Sequence, residues 1–280
     1  MRSASIRSLW HPRVILALSA ILFLFLPSAL RAQQSEEFDQ YKLRLSGYWF
    51  YSNPTGSVEG RGETVPVDFK KDLGFSTYST FFAKVDWKFT HKNHLYVAIS
   101  PFFASRTTTL TRTFTFQGQT FEAGATVNSK LHAFYVAPGY QYDILRRKRG
   151  HLGIAVQINL FNTTAKISAA GVVSGGATGA SSVSASGSLL APIPVGGPEY
   201  RLYLTNSPRV FIEGNGYGMY FFGYGNFYST ANVIGVTLNK HMSVNAGYQI
   251  ASRLKITGTN NRLGLSLTQR GAIAGMEFSF

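Results

Sequence analysis

The amino-acid sequence predicts an all-β protein whose antiparallel strands close into a barrel that crosses a membrane. Hydrophobic and polar residues alternate with a period of two in many segments, a pattern typical of strands with one apolar face. Aromatic residues cluster near the ends of these segments, and the 280-residue chain contains 22 Phe and 15 Tyr. Such aromatic girdles mark the two interfaces of a transmembrane barrel. Beyond the N-terminal region, no apolar run reaches the length of about 20 residues that a membrane-spanning helix needs.

The N-terminal region has the features of a cleaved secretory signal. Three arginines precede an apolar run at 14–26, and a proline and mostly small residues follow up to Ala32. A basic head, a short apolar segment and small residues before the cut are typical of such signals. The sequence therefore predicts a signal peptide at 1–32, a short periplasmic segment at 33–40 and a barrel at 41–280.

The number of strands follows from the turns between the alternating segments. Four short polar turns alternate with five longer connections, as periplasmic turns and outer loops do in these barrels. This arrangement predicts about ten strands, with eight or twelve as the alternatives. The short turns are at 91–94, 146–150, 206–209 and 239–241. The predicted strands are 41–51, 76–90, 94–116, 120–144, 151–168, 184–205, 209–222, 226–239, 242–256 and 263–280.

Two regions depart from a simple membrane-crossing strand. Pro192, Pro194 and Pro198 lie within 184–205, although proline cannot donate a hydrogen bond to a neighbouring strand. The spans 94–116 and 120–144 exceed the ~9–11 residues with which a tilted strand crosses a bilayer. We therefore expect this pair of strands to project outward as a hairpin.

The composition excludes some chemistries and favours others. The chain has no cysteine, which excludes disulfides and thiolate metal ligands. The net charge is +14, and without the four arginines of 1–32 about +10 remains. In a secreted chain rich in aromatics, this charge favours the phosphates of outer-membrane lipids and lipopolysaccharide as partners rather than nucleic acid.

The last residues of the chain form a short alternating strand in which Gly275 precedes Phe278 and the final Phe280. This ending resembles the sorting signal of bacterial outer-membrane β-barrels. The resemblance implies a small barrel of that superfamily, located in the bacterial outer membrane and recognised by the barrel-assembly machinery during biogenesis. An ordinary strand end is the alternative interpretation. No enzyme subgroup of the superfamily is matched closely.

The polar faces of the strands predict the residues that line the lumen. Because a barrel of about ten strands is close to being filled by its own side chains, these residues predict either a plug of ion pairs or a narrow pore that favours anions. Glu213 lies in an apolar context, where it either neutralises a neighbouring cation or anchors a ligand. The predicted lumen-lining residues are Lys42, Arg44, Lys84, Asp86, Lys88, Asp143, Glu199, Arg201, Glu213, Asn215, Asn245, Gln249, Arg253 and Lys255.

Candidate catalytic residues are few. His241 and Ser243 resemble the His-x-Ser motif of lipid A 3-O-deacylases, but the predicted topology places them at the periplasmic side, away from an outer-leaflet substrate. Four histidines (His91, His94, His151 and His241) lie near the short turns without a nearby carboxylate, so we expect no metal site. We expect no catalytic residue and no cofactor.

The sequence thus predicts a non-enzymatic outer-membrane barrel that acts as a narrow pore for small solutes or as a structural envelope protein. Two alternatives stay open. One is a lipid A-modifying hydrolase of the outer leaflet, and the other is a surface adhesin or receptor that uses the 94–144 hairpin and the 52–75 loop.

Overall fold

The computed structural model describes residues 38–59, 66–169, 183–221, 225–257 and 264–280, and every regular element in these ranges is a β-strand. The predicted signal peptide at 1–32 lies outside the described residues. No helix in the described ranges is long and apolar enough to cross a membrane. The strands are β1 (Leu43–Ser52), β2 (Thr55–Glu59), β3 (Val67–Asp68), β4 (Tyr78–Lys88), β5 (Asn93–Thr109), β6 (Phe114–Phe116), β7 (Gln119–Phe121), β8 (Thr126–Arg147), β9 (Gly150–Ala169), β10 (Val183–Tyr203), β11 (Arg209–Phe221), β12 (Gly225–Asn239), β13 (Met242–Ile256) and β14 (Gly264–Ser279).

Ten of these strands form one closed antiparallel barrel. Their order is β1-β4-β5-β8-β9-β10-β11-β12-β13-β14, and β1 pairs with β14 to close the ring. The short strands β2 and β3 extend the sheet at the outer end of β14, and β6 pairs with β7 in a separate hairpin. The prediction of an all-β, closed, ten-stranded barrel is confirmed, and each predicted span corresponds to one barrel strand.

The outer wall of the barrel is apolar. The inner wall is mostly polar in the half that is nearer the short turns. On β9, the side chains at 152, 154, 156, 158 and 160 are Leu, Ile or Val and are 37% to 53% exposed. Between them, Ala155, Gln157 and Asn159 are buried inside the barrel. This pattern, with apolar side chains outside and small or polar side chains inside, continues for nine residues. Nine residues is about the length that crosses a bilayer. A free sheet edge has no partners in hydrocarbon, which is why such a sheet closes.

Aromatic side chains surround the outer wall near both ends of the strands. Trp87, Phe89 and Phe280 are exposed close to the short turns, whereas Trp49 and Phe103 are exposed toward the other end. Indole and phenyl rings favour the boundary between headgroups and acyl chains. The two girdles therefore mark the levels at which the barrel meets the membrane interfaces.

The three prolines of β10 are accommodated on one side of the strand. Their side chains point outward, and β10 pairs without interruption with β9 from Val183 to Leu202. Among the described residues, however, β10 pairs with β11 at Gly196 and at Glu199–Tyr203 but not at Pro194 or Pro198. Because the N–H and C=O groups of one residue point to the same neighbour in an antiparallel sheet, the missing proline donors all fall on the β11 side. The strand is thus compatible with proline because its seam with β11 is incomplete.

The outer mouth of the barrel is covered by a cap, formed by the 66–77 segment and the 110–125 segment that contains the β6–β7 hairpin. Phe69, Phe114, Phe116 and Phe121 of the cap are at most 5% exposed and join the apolar upper part of the lumen in one hydrophobic cluster. The β5–β8 pair does rise to Thr109 and Thr126, as expected. Its tip, however, folds over the lumen instead of projecting outward, because these phenylalanines are buried there.

Candidate functional site

The lumen is charged at the end near the short turns and apolar toward the outer mouth. We call the charged end the base of the lumen, and its centre is Arg201 of β10. The guanidinium is 2% exposed, and its Nη2 donates to both carboxylate oxygens of Glu277 on β14 at 2.7 and 2.5 Å. Nε donates to Glu213 of β11 at 2.5 Å. Glu277 also accepts a hydrogen bond from Tyr48 of β1 at 3.0 Å. Charge-assisted hydrogen bonds of this kind satisfy charges that water cannot reach.

Residues 38–42 precede β1 and are called the N-terminal segment here. They cross the base and add a carboxylate to it. Asp39 is paired with Arg44, lies 2.9 Å from His151 Nδ1 and 3.7 Å from Arg201 Nη1. Burial by itself would raise the pKa of Asp39, but Arg44, His151 and Arg201 together hold that pKa well below its ordinary value. The segment is fixed further because Lys88 Nζ and Arg146 Nη2 donate to the Asp39 carbonyl at 3.2 and 2.8 Å.

A fully buried histidine completes the base. His94 Nδ1 lies 3.2 Å from Asp86 Oδ1, and His94 Nε2 lies 3.1 Å from Asp143 Oδ2. Only the imidazolium form can donate from both ring nitrogens, so two flanking carboxylates favour the charged ring. In the described lumen, opposite charges thus meet in pairs. The pairs are Arg44–Asp39, Lys84–Glu199, Arg146–Asp143, Arg201–Glu213, Arg201–Glu277, His94–Asp86 and His94–Asp143.

A cavity of about 290 Å³ lies above the base. Its lower wall carries the Lys84–Glu199 pair at 3.2 Å, and Tyr217 donates to the same glutamate. Its upper wall is lined by phenylalanine and leucine side chains, including Phe102 and Phe227. Small residues at inward positions, such as Ala133 and Ala231, leave the space open. The cavity therefore has a largely apolar wall with a few hydrogen-bonding groups.

Most of the predicted lumen residues lie on the inner face. The structure brings Arg201 together with Glu213, Lys84 with Glu199, and Asp86 with Asp143 through His94. Lys88 and Arg44 meet the N-terminal segment, Asn215 and Gln249 line the cavity, and Asn245 is buried near Gly275.

Three predicted lumen residues require correction. Lys42 is exposed and precedes β1, where its backbone N–H donates to the Phe280 carbonyl at 2.6 Å. Arg253 and Lys255 are exposed on the outer face. The reason is a β-bulge after Gln249, which shifts the register and reverses the faces of all later residues in β13. The strict alternation assumed from the sequence does not continue across this extra residue.

Sequence reasoning missed several members of the base. Glu277 was assigned only to the terminal signal, although its inward face follows from its two-residue spacing from Gly275. His94 and His151 begin the predicted strands 94–116 and 151–168, but their position beside the short turns gave no indication that they enter the base from β5 and β9. Asp39 lies outside every strand, and no local pattern in the sequence indicates that it enters the lumen.

The three residues of the predicted assembly signal lie along the closing seam. Gly275 faces inward opposite Tyr48, whose ring occupies the space that a Cβ would need. Glycine there lets the tyrosine reach Glu277. Phe278 and Phe280 face outward, and the Phe280 N–H donates to the Leu43 carbonyl at 2.8 Å. Recognition by the assembly machinery remains a prediction for these residues.

The residues considered for catalysis or metal binding are engaged elsewhere. His241 Nδ1 pairs with the Ser279 carbonyl at 2.8 Å, and Ser243 Oγ donates to Thr237 Oγ1 at 3.4 Å, so the two side chains have separate partners. His94 and His151 do come within 6.2 Å of each other by ring centroids. Within the described ranges, however, no group of three or more His, Asp or Glu residues is arranged to hold a metal ion.

A closed ten-stranded barrel with an apolar outer wall and a charge-paired interior defines the class of outer-membrane β-barrel proteins. No model of a known protein family matches the chain, and no curated protein matches it either. Among solved structures, the chain is similar to the outer membrane protease OmpT from Escherichia coli, with 11% identity, coverage of 89% of this chain and 99% of that chain, and a TM-score of 0.47. It is also similar to the translocator domain of the autotransporter NalP from Neisseria meningitidis (13% identity, coverage 96% and 98%, TM-score 0.36). A third similar structure is the attachment invasion locus protein Ail of Yersinia pestis (10% identity, coverage 84% and 99%, TM-score 0.35). At these identities the likeness concerns the fold alone.

Proposed function

We propose that this protein is a non-enzymatic barrel of the bacterial outer membrane that acts as a closed structural envelope protein rather than as an open pore. The observation that carries the proposal is the charged base, in which the N-terminal segment crosses the lumen and its carboxylate joins Arg44 and Arg201. Outer-membrane lipids and lipopolysaccharide would surround such a barrel, and its exposed cations would face their phosphates.

The burial of the base supports a lumen that is closed to ions. Arg201, Glu277, His94 and Asp143 are each at most 2% exposed, although they lie on the inner wall of the barrel. A hydrated pore would leave such side chains in contact with water. Because most of the charges described in the base are paired with an opposite charge, an anion would find few free cations there, whereas an anion-favouring pore requires them.

The outer mouth supports the same proposal. Arg112 of the cap donates to both carboxylate oxygens of Asp72 at 2.8 and 2.5 Å, and thereby joins the 110–125 segment to the 66–77 segment. Phe116 and Phe121 are fully buried beneath this contact. An apolar layer of this kind opposes the passage of ions at the second end of the lumen.

Planar-bilayer recordings test the proposal. We expect the purified full-length protein to insert without regular conductance steps, because ions meet a dehydrated ion-pair network. The double variant Asp39→Ala with Arg44→Ala removes one buried pair, and we expect small conductance steps from the space it leaves. Lys42→Ala is the matched control, since this neighbouring lysine is exposed outside the lumen. Regular conductance steps in the unmodified protein would contradict the proposal.

A further inference from the structure

The cavity above the base carries a small polar site that the closed-barrel function leaves unused. Asn215 on β11, Ala231 on β12 and Gln249 on β13 lie directly abreast in the strand registers Asn215↔Ala231 and Ala231↔Gln249. All three line the cavity. Adjacent strands are about 4.8 Å apart. The amides of Asn215 and Gln249 therefore lie on either side of Ala231, whose side chain is only a methyl group.

The amides retain hydrogen-bonding capacity. Gln249 Nε2 donates to Ser229 Oγ at 3.2 Å, which leaves its carbonyl oxygen available. The side chain of Asn215 has no hydrogen bond to another described residue, and it faces the cavity. A primary amide offers two donors and two acceptor positions. The row can therefore bind a neutral group that both donates and accepts, such as a hydroxyl.

The β-bulge after Gln249 supports a dedicated site. The register shift falls between Thr230 and Ala231 on β12, immediately beside the row. Before the bulge, Gln249 faces the lumen. After the bulge, Leu254 faces the lumen and forms part of the apolar cavity wall. Bulges of this kind re-aim side chains and are frequent beside binding sites.

The charges around the cavity favour an uncharged ligand. Each charged residue that lines the cavity lies beside an oppositely charged partner, so none of them offers a free charge to a carboxylate or an ammonium group. The pairs are Lys84–Glu199, Arg201–Glu213, Arg44–Asp39, His94–Asp86 and His151–Asp39. A ligand charge would also lose its hydration without gaining a partner. The remaining wall is largely aromatic and aliphatic, which favours apolar molecules.

The volume limits the size of the ligand. An apolar cavity of about 150 Å³ is large enough to bind benzene. The lumen cavity, at about 290 Å³, is roughly twice as large. We propose that the lumen binds a neutral, mostly apolar molecule of about two fused rings, with one hydroxyl group held between Asn215 and Gln249. This inference goes beyond the closed-barrel function, and a barrel that conducts ions could still contain this site.

Fluorine NMR on the full-length protein in phosphatidylcholine nanodiscs tests the proposal, with 6-fluoro-2-naphthol as the probe. We expect a bound resonance that is absent from empty nanodiscs. Ala231→Phe fills the space between the amides and should remove this resonance. Ala274→Phe is the matched control, because Ala274 is exposed on the outer face, and it should leave the resonance unchanged.

A second variant keeps the test independent of any effect of Ala231→Phe on folding. Asn215→Leu with Gln249→Leu removes both amides, and we expect it to weaken binding of the fluoronaphthol about tenfold. The same variant should bind 2-fluoronaphthalene, which lacks the hydroxyl, at least as well as the unmodified protein does. The proposal is overturned if the unmodified protein gives only the signal of empty nanodiscs. It is equally overturned if Ala231→Phe or the double variant binds the fluoronaphthol like the unmodified protein.

Discussion

At the scale of single residues, the base of the lumen consists of charges that are buried in mutual contact. Arg201 donates hydrogen bonds to two carboxylates, each on a different strand, and lies 3.7 Å from a third, that of Asp39. Removing one member of a buried network is far more costly than replacing the network as a whole, because the remaining charges lose their partners without regaining water. The alternating pattern predicted that Arg201 and Glu213 share the inner face. It could not predict Asp39, because that residue precedes the first strand.

The difference between removing one charge and replacing the whole network gives a prediction for Arg201. We expect Arg201→Met alone to lower the free energy of unfolding by about 3–5 kcal/mol, since it leaves Glu213 and Glu277 uncompensated. Adding Glu213→Gln and Glu277→Gln to the same chain should restore most of that loss. Urea unfolding in lipid vesicles, followed by the fluorescence of the exposed Trp49 and Trp87, measures both changes.

Arg253→Met serves as the control for the loss of one cation, because Arg253 is exposed on the outer face. It should shift the unfolding midpoint little. A triple variant as unstable as Arg201→Met alone would argue against an electrostatic origin of the effect.

At the scale of elements, strands were easier to predict than the segments that join them. Alternation predicted all ten barrel strands because lipid and lumen impose opposite environments on successive side chains. The cap could not be predicted in the same way. Its phenylalanines lie in strands of three residues and in turns, and their burial depends on two segments that meet only in the folded barrel. The bulge in β13 was missed because a single extra residue leaves no compositional signal.

The cap gives a prediction about proteolysis. Burial would raise the pKa of Asp72, but the hydrogen bonds from Arg112 and from the Asp68 N–H lower that pKa below its ordinary value. A carboxylate whose pKa is lower in the folded state stabilises the folded state when the pH is above the unfolded pKa of about 3.9. This stabilisation is lost as the pH falls through the lower folded pKa. At pH 8 the contact is therefore intact, and we expect trypsin to cleave slowly after Arg112.

Asp72→Asn should accelerate this cleavage several-fold, because the amide cannot hold the guanidinium as a carboxylate does. Glu122→Gln makes the same charge change at a cap carboxylate that is not hydrogen-bonded to Arg112, and should leave the rate unchanged. Mass spectrometry of the fragments reports the rates. Equal rates in all three proteins would contradict the role of Asp72 in fixing the cap.

At the scale of the whole molecule, the chain is a closed ten-stranded barrel with an apolar outer wall. Charged side chains fill the end of the described lumen nearer the short turns, and apolar side chains fill the other end. The sequence predicted the wall, the number of strands and many of the lumen charges. It left open whether those charges line a pore or fill it, since that depends on distances between strands far apart in sequence, such as β10 and β14.

Cysteine accessibility tests the sealed lumen most directly, because the chain has no native cysteine. Ser46 faces inward at the base and is 7% exposed, whereas Thr107 is exposed on the part of β5 that rises above the outer mouth. In intact cells and in inverted vesicles, we expect Ser46→Cys to resist a charged, membrane-impermeant maleimide. Thr107→Cys should react fully from the outer side. Rapid labelling of Ser46→Cys from either side would show a water-filled lumen and would contradict the account.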